Sequence, residues 1–200
     1  MLCISLYPRF LTEQAGKQRY KGHADKGNAA ARHKLFYPQL GVKLCSMAGG
    51  GTASIAANCT ALADKIRAKS ASCKVILEQT WTFSASSYGG FTDFATFENY
   101  NAKGARAMAK AAGTWISPIG EAFRIVREGS SGINLYHTDN KHQSVYGAYL
   151  KACVNYLVLY GEAFGSSPAD CGIEASKAAY LRSVAEQVVL GHENEYLIQR

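Results

Sequence analysis

Residues 73–79, CKVILEQ, and residues 80–91 behind them, TWTFSASSYGGF, form the stretch on which the fold turns. Val75, Ile76 and Leu77 make an unbroken apolar run, too short for a helix. A strand that is apolar at successive positions has to be covered on both faces, which is the situation inside a parallel sheet. The segment that follows mixes Trp81, Phe83 and Tyr88 with serines and the Gly89–Gly90 pair, so it reads as a loop leaving the carboxyl end of that strand. In open α/β sheets ligands sit at this edge. Trp81, Phe83 and Tyr88 are therefore candidate substrate-binding residues; the alternative is that these rings cover the edge of the core.

Helix-like and strand-like segments alternate on either side of this strand. Ile55, Cys59, Leu62 and Ile66 recur at helical spacing and predict a helix over 54–69. A second helix is expected over 92–112, with Phe94, Phe97, Ala105, Met108 and Ala112 inward and Gly113 closing it. Residues 115–119, WISPI, return as a strand that Pro118 ends or confines to an edge, because proline donates no ladder hydrogen bond. A short helix over 121–127 precedes the Gly-Ser-Ser-Gly break at 129–132. The long apolar segment 144–161 predicts a helix capped by Ser144 and stopped by Gly161, with Val145, Tyr149, Ala152, Tyr156 and Leu159 as its stripe. The last helix, near 174–190, uses Ala178, Leu181, Ala185 and Val188 and ends at Gly191. The alternation is that of an α/β domain with a mainly parallel sheet.

Composition narrows the function classes. The 200 residues are 48% hydrophobic and 18% charged, enough for one substantial core. No apolar run is long enough to span a membrane, and the start lacks a basic segment followed by an apolar one, so neither a span nor a signal peptide is expected. The compartment stays open. The net charge of +7 is lopsided: residues 1–50 hold eight Lys and Arg against Glu13 and Asp25, leaving 14 basic and 13 acidic residues in the remainder. Basicity confined to a leader argues against nucleic-acid binding by the folded part. The six cysteines, at 3, 45, 59, 73, 153 and 171, are too dispersed for a zinc cluster, and no metal or other cofactor is expected.

The chemistry concentrates in residues 135–149, LYHTDNKHQSVYGAY. Asp139 and His142 stand three residues apart, about one turn if helical, so the carboxylate can reach the imidazole. A carboxylate that fixes one ring nitrogen presents the other as a base and stabilises the imidazolium formed on proton uptake. On spacing alone the competing reading is a solvated loop whose Asp caps the next helix. His137, Asp139 and His142 also spell H-x-D-x-x-H, a weaker metal-ligand reading without a fourth ligand. Glu78 and Glu121 are a further candidate pair of carboxylates, with nothing in the sequence to place them together.

The fuller string DNKHQSVYGAYLKACVNY resembles the last catalytic block of SGNH/GDSL-type hydrolases, where D-x-x-H is followed by a small polar residue, a Gly and a Y-L-x-A-C-like helix. VILEQTW and WISPIGEAF resemble the middle of a bacterial SGNH-like group, so the resemblance covers roughly residues 54–190. It implies a three-layer α/β/α sandwich of SGNH/flavodoxin-like kind and hydrolysis of an acyl ester, commonly on a carbohydrate or lipid. His142 matches the family's base and Asp139 its orienting acid. The family's serine nucleophile block and its oxyanion-hole Gly and Asn blocks are not found ahead of Asp139. The nearest imitation, residues 42–54, VKLCSMAGGGTAS, matches neither a nucleophile elbow nor a phosphate loop; a Gly-rich turn there is a weak candidate either to bind an anion or to present Ser54. Residues 1–53 are accordingly expected to be an irregular basic leader, divergent, truncated or wrongly translated, and residues 54–200 the SGNH-like domain. The functional expectation is a serine esterase acting on a small-molecule or carbohydrate ester. Its alternative is an incomplete, non-catalytic SGNH-like domain that binds carbohydrate.

Overall fold

The computed structural model describes residues 42–45, 53–83, 91, 93–165 and 168–200. Strand β1 (Val42–Cys45), helix α1 (Ala53–Lys69), strand β2 (Val75–Glu78), helix α2 (Phe94–Ala112) and strand β3 (Trp115–Ser117) alternate along the chain. Three helices follow: α3 (Ile119–Glu128), α4 (Val145–Tyr160) and α5 (Ala175–Val189). The strands form one parallel sheet in the order β1-β2-β3, with Val42 opposite Val75 and Leu77 opposite Ile116. The protein thus mixes helix and strand around a small parallel sheet, as the alternating pattern predicts.

Residues 42–45, expected to belong to an irregular leader, instead form β1 and pair along the whole of β2. The four-residue run VKLC has too little patterning to declare a strand by itself; its pairing comes from the finished edge that β2 offers.

The helix boundaries follow local chemistry. The side chain of Asp93 caps α2 by accepting from the Thr96 amide at 2.7 Å, and Gly113 ends it in the left-handed region at φ 60°. Ser144 and Gly161, φ 71°, bound α4 in the same manner. Pro118 stands between β3 and α3, so the segment read as a strand through 119 turns helical at once. α1 packs on α2, and α4 on α5, while α3 touches both α4 and α5. α2 meets β2 and β3, and α4 meets β3.

The core is centred on Leu77, Ile116, Phe123, Leu150, Val154, Leu157 and Leu181, each at most 1% exposed. Each such side chain contributes about 1.5–3 kcal/mol by leaving water. α4 departs from the predicted stripe. Its buried face runs through Tyr149, Leu150, Cys153, Val154, Leu157 and Val158; of the predicted stripe Tyr149 is therefore buried, whereas Val145 is exposed and Ala152, Tyr156 and Leu159 are only half-buried. The helix is apolar nearly all round, so spacing alone does not select the inner face. The Ile116 amide, which points away from β2, donates to the Tyr196 carbonyl at 2.9 Å, and the segment after α5 thereby covers the free edge of β3. No helix of the described residues is long and apolar enough to cross a membrane.

Candidate active site

Asp139 and His142 lie in a tight excursion between α3 and α4. Tyr136 and Gln143 form an isolated antiparallel bridge, the His137 amide donates to the His142 carbonyl at 2.8 Å, and the Ser144 amide to the Leu135 carbonyl at 2.8 Å. Between them the chain reverses through Asn140 at φ 58°, a conformation asparagine tolerates better than most residues. The predicted one-turn spacing is realised as a reverse turn, not as helix. Directly behind it, Gly147 in the first turn of α4 has no room for a side chain: a Cβ there would overlap the Leu135 carbonyl oxygen. Ser144 anchors the exit, its hydroxyl donating to the Asn134 carbonyl at 2.7 Å and accepting from the Gly147 amide at 3.3 Å.

Within the turn, Asp139 uses both oxygens. Oδ1 accepts the amides of Lys141 and His142, each at 3.0 Å, and Oδ2 meets His142 Nδ1 at 2.5 Å. The His142 imidazole, followed by the Lys141 and His142 amides, holds the Asp139 carboxyl well below the usual carboxylate range. An anion fixed this way favours the tautomer that carries its proton on Nδ1, which leaves Nε2 as the acceptor. The imidazole is 79% exposed, so that nitrogen is open to a reactant arriving from solvent. His137, also exposed, turns its Nδ1 to the Thr138 hydroxyl at 3.2 Å. Among the described residues no group of three His, Cys, Asp or Glu is placed to hold a metal ion.

Of the aromatic candidates, Trp81 reaches the dyad loop. Its indole N–H donates to the Lys141 carbonyl at 2.9 Å, which places the turn against the carboxyl end of β2. Its ring stacks on Phe123 at 4.8 Å and 17°. Phe83 points elsewhere and meets Phe97 of α2 edge-on at 6.1 Å. Tyr88 lies outside the described residues. Ser54 falls in the first turn of α1, and residues 46–52 ahead of it lie outside the described residues.

The sequence reading missed a polar cluster beneath Trp81. Lys151 of α4 and Glu78 of β2 pair at 3.3 Å with side chains 7% and 2% exposed. Asn155 Nδ2 donates to Glu78 Oε1 at 3.1 Å, and the Ser117 hydroxyl donates to Asn155 Oδ1 at 2.6 Å. The Lys151 ammonium lies 5.4 Å from the centre of the Trp81 ring. A signal for this was present: Lys151 is the lone charge in the apolar segment 145–160, and a buried lysine needs an anion. Of the other two carboxylates singled out in the sequence, Glu78 pairs with Lys151 and Glu121 with Arg124 on α3.

No family model matches the chain, and no curated protein does. A solved structure resembles it: a DUF4886 family protein from Bacteroides uniformis ATCC 8492, with a TM-score of 0.57 and 19% identity. The likeness is one of fold. It covers 68% of this chain and 58% of that protein.

Proposed function

We propose that this chain is a serine ester hydrolase of SGNH type, with His142 as general base and Asp139 as the acid that orients it. On this reading the fold is a three-layer α/β/α sandwich, with α1 and α2 in one helical layer and α4 and α5 in the other. The observation that carries the proposal is the Asp139–His142 contact of 2.5 Å in an exposed turn, tied by Trp81 to the carboxyl end of a parallel strand. That arrangement leaves Nε2 free to take a proton from a serine hydroxyl as its oxygen attacks an acyl carbonyl; the imidazolium then protonates the departing alcohol, and water activated by the same nitrogen releases the acyl group as a carboxylic acid and restores the serine. The substrate class that the sequence resemblance implies is an acyl ester of a carbohydrate.

The test combines turnover with labelling. The purified chain should hydrolyse p-nitrophenyl acetate, and His142→Ala should lose at least about 100-fold, the low end for a positioned base. A fluorophosphonate probe followed by peptide mapping should identify one modified serine, with labelling abolished in His142→Ala. Equal turnover by both proteins would sink the assignment. Absence of labelling together with measurable binding of a sugar would favour a non-catalytic carbohydrate-binding domain instead.

A further inference from the structure

We infer that Trp81 is a positioning residue for His142, acting through the carbonyl of Lys141 and not through contact with substrate. The inference rests on the assignment of Asp139 and His142 as acid and base, and extends it to the side chains that set their turn in place.

Residues 137–142 are all exposed, so their arrangement draws little from burial. The turn closes on itself through the His137–His142 and Asn140–His137 backbone bonds, neither of which engages the Lys141 carbonyl at the peptide that leads into His142. The indole N–H of Trp81 reaches Lys141, the residue immediately before His142, from three positions beyond the end of β2. It is a cross-link between the catalytic turn and the strand edge.

The ring that makes this link is itself fixed. Phe123, 1% exposed, stacks on it, and Phe123 in turn meets Tyr136 edge-on at 6.0 Å, at the base of the same turn. Lys151 adds a cation near the ring, and its position is set by Glu78. Glu78 is held by Asn155, and Asn155 by Ser117, so β2, β3 and α4 all contribute to placing one indole. A ring stacked on Phe123 of α3 and spending its N–H on backbone is suited to holding a loop. A substrate-binding indole would instead keep that N–H for its ligand.

Loss of the indole N–H should let the turn shift and the Asp139–His142 contact open. A carboxylate at Nδ1 keeps the imidazole proton on that nitrogen, whereas a released histidine side chain places it mainly on Nε2. Ring-nitrogen NMR of His142, at a pH where the imidazole is neutral, reads this ratio directly. Three proteins are compared: wild type, Trp81→Phe and Trp81→benzothienylalanine, an isostere with sulfur in place of N–H. One modest hydrogen bond corresponds to a change of about fivefold. The tautomer ratio should move toward Nε2–H by that factor in both variants, with Asp139→Asn marking complete loss. Ester turnover should fall by a similar factor in kcat with KM unchanged.

If Trp81→Phe does not fold, the isostere decides. An unchanged tautomer ratio in an isostere protein of wild-type Tm overturns the inference, as does a raised KM with the ratio intact, which would return Trp81 to the substrate. Because the NMR readout needs no turnover, it stands even if the chain proves not to hydrolyse esters.

Discussion

Removing the Lys151 charge should be among the most damaging single changes available in this protein. Lys151→Met keeps the unbranched stem in its slot between α4 and β2 while deleting the ammonium, leaving the 2%-exposed Glu78 carboxylate without its opposite charge. Breaking a buried ion pair by removing one partner costs about 3–5 kcal/mol. Against a typical domain stability of about 5–15 kcal/mol this is a large fraction. At about 2–4 °C per kcal/mol for a chain of this size, Tm should fall by about 6–20 °C. Asn155 tempers the loss by continuing to donate to Glu78 Oε1 at 3.1 Å, which places the expectation toward the lower end. The double variant Lys151→Met/Glu78→Gln removes both charges, keeps an acceptor for Asn155, and should recover about 2 kcal/mol or more of the deficit. Urea unfolding followed by circular dichroism on wild type, both single variants and the double variant gives the full cycle. A Lys151→Met protein within about 1 kcal/mol of wild type, or a double variant whose loss is the sum of the singles, would refute the energetic account of this cluster.

Asp139 should titrate well below the roughly 3.9 of a free aspartate, measured by carboxyl carbon NMR. Because its folded value is depressed, it contributes stability that is present above the unfolded value and is lost as pH falls through the folded one. A midpoint at or above 3.9 would contradict the observed turn. Gly147→Ala should destabilise by about 1–3 kcal/mol, since the new methyl overlaps the Leu135 carbonyl and crowds Gln143 and Phe123. A thermal melt unchanged from wild type would show that the first turn of α4 has slack. Phe123→Ala should cost about 3–5 kcal/mol and free one face of Trp81, shifting indole fluorescence to the red. An unshifted spectrum in a folded variant would show that the stack does not govern the ring's surroundings.

The sequence was legible wherever one local rule acted alone. β2 was readable because three successive apolar residues leave no polar face, and the ends of α2 and α4 because Gly113, Ser144 and Gly161 each answer a specific backbone need. The inner face of α4 was not readable: an apolar residue at nearly every position gives several stripes of equal merit, and only contact with β3, α3 and α5 selects among them. β1 was hidden because four residues carry almost no period. At the candidate site, the Asp–His spacing was visible, but its hold on Trp81 was not. A contact between residues 81 and 141 joins two loops 60 positions apart, and no local pattern encodes it.

The Ile116–Tyr196 bond bears on how the protein behaves among copies of itself. An outer strand with unanswered amides is a template on which a neighbouring molecule's extended backbone can zip. Here that template is shut by the segment after α5, whose Tyr196 and Ile198 are themselves tucked into the core at 5% and 6% exposure. Proteolytic nicking after Val189 would free that segment to lift from β3. Solubility, and not only fold stability, then depends on residues 190–200 staying down.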